Sequence, residues 1–164
     1  FWMPQRFTVW QKTCKPRTTC LQTEPTSMAQ YLHIRVEDID LLLPALQVHE
    51  VIGLEHKESQ SDGHAIWRDE VITAFDLGQI LHRCSTAAAR DYGVVYSPDD
   101  SDAPPVLMAI DEVLGLRNPL RDQLHKLPGA MTTAHTLFDA IWIDNKLGLK
   151  AYCVKAQLPA DILS

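Results

Sequence analysis

The stretch Val106-Leu107-Met108-Ala109-Ile110-Asp111-Glu112-Val113-Leu114-Gly115-Leu116 sets five apolar residues before one adjacent acidic pair and closes on valine, leucine and glycine. An apolar run this short, entered through Pro104-Pro105, reads as a strand from Val106 to Ile110. Immediately upstream, Ser97 to Pro105 is nine residues with three prolines, which only an exposed hairpin loop accommodates. Tyr92 to Tyr96, ahead of that loop, is the other strand of the hairpin.

Further upstream the same texture repeats. Leu32, Ile34 and Val36 alternate with His33, Arg35 and Glu37, so a strand with one apolar and one wet face is expected. A polar turn at Glu37-Asp38 leads to a second strand, Asp40 to Leu43, ended by Pro44. Val48 to Leu54 alternates less cleanly, and Glu55 to Gly63 is a charged loop closed by the turn pair Asp62-Gly63. Glu70 to Phe75 is β-branched and aromatic enough for a strand. Asp76 is placed to cap a short helix whose inner face carries Leu77, Ile80, Leu81 and Cys84. Toward the other end, Ala140 to Ile143 and Leu147 to Val154 flank Asp144-Asn145-Lys146 as a last hairpin. Seven to ten short strands and one clear helix predict an all-β barrel or sandwich.

The whole chain has 164 residues, 46% of them hydrophobic and 22% charged, the make-up of an ordinary globular domain. No apolar stretch reaches the ~20 residues of a spanning helix, so a soluble chain without direct membrane insertion is expected. Residues 1–27 show no sustained period and are expected to form an irregular tail, dispensable or a translation-start artefact, with the functional chain, 28–164, starting at Met28. Of fifteen basic and twenty-one acidic residues, four basic and one acidic fall in that tail. The remainder therefore has eleven against twenty, a net charge of −9, which repels phosphate backbones and argues against nucleic-acid binding. The charge favours a protein partner.

Cys14, Cys20, Cys84 and Cys153 have no paired thiolate spacing and are read as free thiols. His49-Glu50 lacks the second histidine of a zinc-protease helix, since Gly53 stands at that offset. Asp99-Asp100-Ser101-Asp102 lacks the glycine and terminal glutamate of a calcium loop, and His56 and His64 offer only adventitious metal contacts. Asp111 and Glu112, as strand neighbours, point to opposite faces and cannot work on one substrate atom. No phosphate loop or nucleophile elbow is present, so neither a catalytic residue nor a cofactor nor a metal is expected.

Three elements in order resemble the CheW-like domain family of bacterial chemotaxis coupling proteins. They are Val48-His49-Glu50-Val51, then Ile66-Trp67-Arg68-Asp69 leading to Phe75-Asp76-Leu77, then Ala109-Ile110-Asp111-Glu112-Val113 with its Leu114-Gly115 turn. The likeness spans 31 to about 158. It implies two intertwined five-stranded β-barrels on a common core, with one or two short helices. It also implies a non-enzymatic, cytoplasmic adaptor at receptor arrays, joining the cytoplasmic tip of a chemoreceptor to the regulatory domain of a two-component histidine kinase.

The chain departs from the family pattern where Asp69 replaces a glycine, Thr73 a proline and Leu107 a glycine, and where the loop before Trp67 is short. Those departures raise an alternative: a divergent regulator of pilus, surface-sensing or other two-component signalling that does not bridge.

The resemblance makes Glu50 and Arg68 a carboxylate–guanidinium pair meeting across adjacent strands beside the partner surface. The other reading of that pair is an internal clamp. Val48, Val51 and Leu54 are candidate apolar contacts for a receptor, or else core residues. Trp67 is a candidate anchor for a partner, or else buried.

Overall fold

The computed structural model describes residues 29–54, 63–82, 90–98, 102–131, 137–156 and 158. The expected tail 1–27, most of the loop from Glu55, Cys84 and the middle of the Pro-rich loop lie outside them. Eleven strands and one short helix follow in order. They are β1 Tyr31–Val36, β2 Ile39–Pro44, β3 Val48–Gly53, β4 His64–Trp67, β5 Glu70–Asp76, α1 Leu77–His82, β6 Tyr92–Tyr96, β7 Val106–Ile110, β8 Glu112–Arg117, β9 Leu124–Lys126, β10 Phe138–Asp144 and β11 Leu149–Val154.

The strands form two sheets, ordered β8-β1-β2-β11-β10-β9 and β3-β6-β7-β5-β4. Neighbours are antiparallel except β2 with β11 and β5 with β7. The expected all-β architecture holds, one unit having five strands and the other a sixth, three-residue strand, β9. The chain builds two of the six strands of the larger sheet, crosses at Pro44 to make the whole smaller one, and returns at Asp111. The two units are interlaced through that path.

Period-two alternation explains how three apolar clusters arise. Ile34 and Val36 (β1), Leu41 and Leu43 (β2), Val94 and Tyr96 (β6), Val106, Met108 and Ile110 (β7), and Ile141 (β10) share one cluster between the sheets. Leu42, Trp142, Ala151 and Cys153, from the opposite face of the larger sheet, form a second. Ile72, Val95 and Leu107 form a third inside the smaller sheet. Val106 to Ile110 is apolar throughout because both faces of β7 are buried.

Leu107, where the family pattern has a glycine, is matched by a glycine on the neighbouring strand. A Cβ on Gly93 would lie 2.7 Å from Leu107 Cδ1 and 3.3 Å from Leu54 Cδ2, so β6 must carry no side chain there.

Three expectations need correction. The face of β1 that carries His33 is not wet, because the imidazole is buried inside the larger sheet, edge-on to Trp142 at 5.9 Å. Arg117 Nε donates to its Nδ1 at 3.2 Å, which leaves Nε2–H to donate to Asp40 at 3.1 Å. Burial pushes the His33 pKa down, and the partial offset from Asp40 does not reverse it. Second, Asp111 and Glu112 do not share a strand, since Asp111 is the bend between β7 and β8. Third, Leu114-Gly115 is not a turn. It lies within β8, where the pairing with β1 slips between His33 and Ile34.

Arg90 ties the crossing together. Its buried guanidinium donates to both carboxylate oxygens of Asp76 at 3.2 Å, to Asp111 at 2.8 and 3.0 Å, and to Glu37 at 2.9 Å. Burial opposes its charge, yet the hydrogen bonds it donates to Glu37 and Asp111 and the charge of Asp76 outweigh that and raise its pKa. Asp76 also accepts from the Gly78 amide at 2.7 Å, which is the expected helix cap. A Cβ on Gly78 would lie 2.1 Å from an Arg90 nitrogen, so the site admits only glycine.

Candidate functional site

The hairpin β4–β5 turns on two residues, Arg68 and Asp69, between the paired Trp67 and Glu70. Both central residues have positive φ, 51° and 66°, the values of the primed turn that matches the strands' right-handed twist. Glycine suits the second position best. Aspartate tolerates it, because its short polar side chain is among the least penalised there. The family's glycine is thus replaced without loss of the turn.

Strand β3 has one extra residue. Its register against β6 slips between Val48 and Glu50, leaving His49 unmatched. Past the slip, Glu50 pairs with Val95 and Ile52 with Gly93, so Glu50 and Ile52 look into the smaller sheet. On β4 the alternation brings Ala65 and Trp67 to that same inner face.

Glu50 and Trp67 meet there. The indole Nε1–H donates to Glu50 Oε2 at 3.0 Å, and Arg68 reaches the same oxygen at 3.4 Å. The Arg68 guanidinium lies over the indole, 4.6 Å from the ring centroid, a cation–π distance. The His49 ring approaches Trp67 at 5.8 Å, and its Nε2 is 2.7 Å from Ser97 Oγ.

The Glu50–Arg68 pair is therefore real, but not as expected from the resemblance. Its strands are not adjacent, being the two opposite edges of the smaller sheet, and the contact is a single bond of 3.4 Å. Arg68 is 69% exposed and Glu50 42%, so the ion pair itself contributes only about 0–1 kcal/mol. What the pair does is present a cation beside an anion at the rim of the curled sheet.

The apolar candidates separate. Val48 is half-buried against the core between the sheets, and Leu54 packs inside the smaller one over Gly93. Val51 alone of the three is exposed. Sequence reasoning missed Ile66 and Val71, directly paired across β4 and β5 and 76% and 71% exposed. The signal was there: with Trp67 turned inward, its neighbour Ile66 must point outward. These two put an apolar patch one residue from the Arg68 turn, giving an apolar centre beside charged groups, the composition of a protein interface.

Among the described residues, no group of three or more His, Cys, Asp or Glu side chains is arranged to hold a metal ion. Nor, among them, is any helix long and apolar enough to cross a membrane. Cys153 is free and buried, its thiol pushed up to about 12, first by burial and then by nearby Asp139.

The family model described as CheW-like domain matches residues 30–148. No curated protein matches the chain. Among solved structures, the chain is similar to the scaffolding protein TtCheW from Thermoanaerobacter tengcongensis, with a TM-score of 0.62 and 12% identity over 79% of this chain and 90% of that one. At that identity the likeness establishes the fold.

Proposed function

This chain belongs to the CheW-like domain family, and from that premise we propose that it is a non-enzymatic adaptor of chemotaxis-type signalling. In this reading it couples the cytoplasmic tip of a chemoreceptor to the regulatory domain of a histidine kinase, and works in the cytoplasm at receptor arrays. The observation that carries the proposal is the rim of the smaller sheet. There Glu50 and Arg68, Val51, and the exposed Ile66–Val71 pair share one region.

A partner carboxylate can fork onto Arg68, which among the described residues makes one long side-chain hydrogen bond, and a partner cation can approach Glu50. The apolar pair supplies area to desolvate. Trp67 supports the region from within, and Val48 and Leu54 hold it in shape from the cores. No reaction step is involved; the contribution is to fix two partners relative to one another, with charge complementarity selecting them.

The test is assembly. The chain, a receptor-tip fragment and the kinase regulatory domain are mixed pairwise and together, and the complexes sized by light scattering after gel filtration. Bridging predicts a ternary complex containing all three. A second reading, a divergent regulator that engages one partner only, is favoured by the altered loop at Trp67 to Asp69. It predicts at most binary complexes, and the absence of any ternary complex removes the bridging reading.

A further inference from the structure

The smaller sheet has no backbone closure. Strand β3 pairs only with β6 and β4 only with β5, so each leaves one side of its ladder unpaired, and no β3–β4 pairing occurs among the described residues. Two things nonetheless hold these edges together. Ile52 and Leu54 from one edge and Ala65 and Trp67 from the other pack on the shared cluster of Ile72, Val95 and Leu107. Glu50 Oε2 then accepts from Trp67 Nε1 and Arg68. Among the described residues the hydrogen bonds to Glu50 are both made to Oε2, so a single carboxylate oxygen clasps the seam.

We propose that Trp67 is a positioning residue: its indole N–H, bonded to Glu50, latches a seam between β3 and β4 that opens locally, and the partner surface is assembled only while the seam is shut. The surface lies astride the seam, with Glu50 and Val51 on one bank and Ile66, Arg68 and Val71 on the other. A partner touching both banks binds the shut form, and by linkage it stabilises that form. This consequence rests on the adaptor reading; the latch itself does not.

Hydrogen exchange of the full chain, read by mass spectrometry, tests the latch. Trp67→Phe deletes the donor and keeps a smaller aromatic ring in the apolar cluster, so the Glu50 variants, which leave the indole in place, separate the lost bond from the lost ring area. Glu50→Leu deletes the acceptor, whereas Glu50→Gln keeps an acceptor oxygen for the indole and loses the charge. One lost neutral-to-charged hydrogen bond predicts about five- to tenfold faster exchange in peptides covering β3 and β4 for Trp67→Phe and Glu50→Leu. Glu50→Gln, which keeps a neutral acceptor, should accelerate exchange less than Glu50→Leu, and peptides covering β10 and β11 should be unaffected throughout. Unchanged seam exchange in Trp67→Phe overturns the proposal, as does acceleration spread equally over both sheets.

Adding the kinase regulatory domain should return seam exchange in Trp67→Phe to the wild-type rate. Binding without that slowing overturns the coupling. If the domain does not bind the wild type at all, the adaptor reading fails, and the comparison of free variants still decides the latch.

Discussion

Trp67 Nε1 donates to Glu50 Oε2 at 3.0 Å, and this bond joins the two outermost strands of one five-stranded sheet. Two residues seventeen positions apart, read as separate motif members, form a single side-chain closure. The charged rim they create stands over the apolar cluster of Ile72, Val95 and Leu107.

Reversing the charge of Arg68 isolates recognition from folding. Arg68→Glu removes one long, exposed ion pair and sets two carboxylates near each other, so thermal stability should fall by no more than about 1 kcal/mol. Affinity for the kinase regulatory domain, or for the receptor tip, should drop at least tenfold in calorimetric titration, with most of that loss in the dissociation rate.

The turn offers the opposite test, stability without recognition. Asp69 sits at φ 66°, where glycine has no steric penalty. Asp69→Gly should raise unfolding free energy by up to about 1 kcal/mol, and Asp69→Val should lower it by about 1–2 kcal/mol, because a β-branched side chain suits that region worst. Urea denaturation of the two variants checks the sign and the order.

At the other end of the molecule, Arg90 holds three carboxylates from separate segments. Arg90→Leu leaves Asp76 and Asp111 buried or half-buried without their partner and should cost about 3–5 kcal/mol. Gly78→Ala should also destabilise, by about 2 kcal/mol or more, since its new methyl collides with the same guanidinium. Denaturant midpoints measure both.

Acid should act through His33. Its folded pKa lies below the unfolded value, so the unfolded chain takes up more protons as pH falls, and stability is lost from about pH 6.5 downward. Asp40 is also held below its ordinary range. Burial works against its charge, but hydrogen bonds from Arg35 and His33 outweigh that, so its own contribution persists until much lower pH. His33→Gln should flatten the stability profile between pH 5 and 7 relative to the wild type, as followed by denaturation at each pH. A profile as steep as the wild type's would assign that dependence to other histidines.

Much of the fold was legible because alternation is a local property. β1, β2, β5, β6, β7, β10 and β11 each follow from a run of apolar residues ended by a proline or a polar residue. β4 and β9, at four and three residues, are too short to show a period, and β8 follows β7 after one bend with no turn pair to announce the break. His33 was misassigned to a wet face because a strand lining a closed interior alternates just as a half-solvated one does.

At the site, Glu50 and Arg68 were legible as motif members. Their position on opposite edges was not, since sheet order is set by which segments pair at long range. Leu54 and Val48 read as surface or core with equal ease until Gly93 and the inter-sheet cluster located them.

Calorimetric titration of the kinase regulatory domain into the full chain and into Arg68→Glu tests the adaptor reading most directly. The account predicts saturable one-to-one binding to the wild type at micromolar concentrations, and its loss in the variant. A well-folded wild type that gives no binding at tens of micromolar, or binding that Arg68→Glu leaves intact, would contradict it.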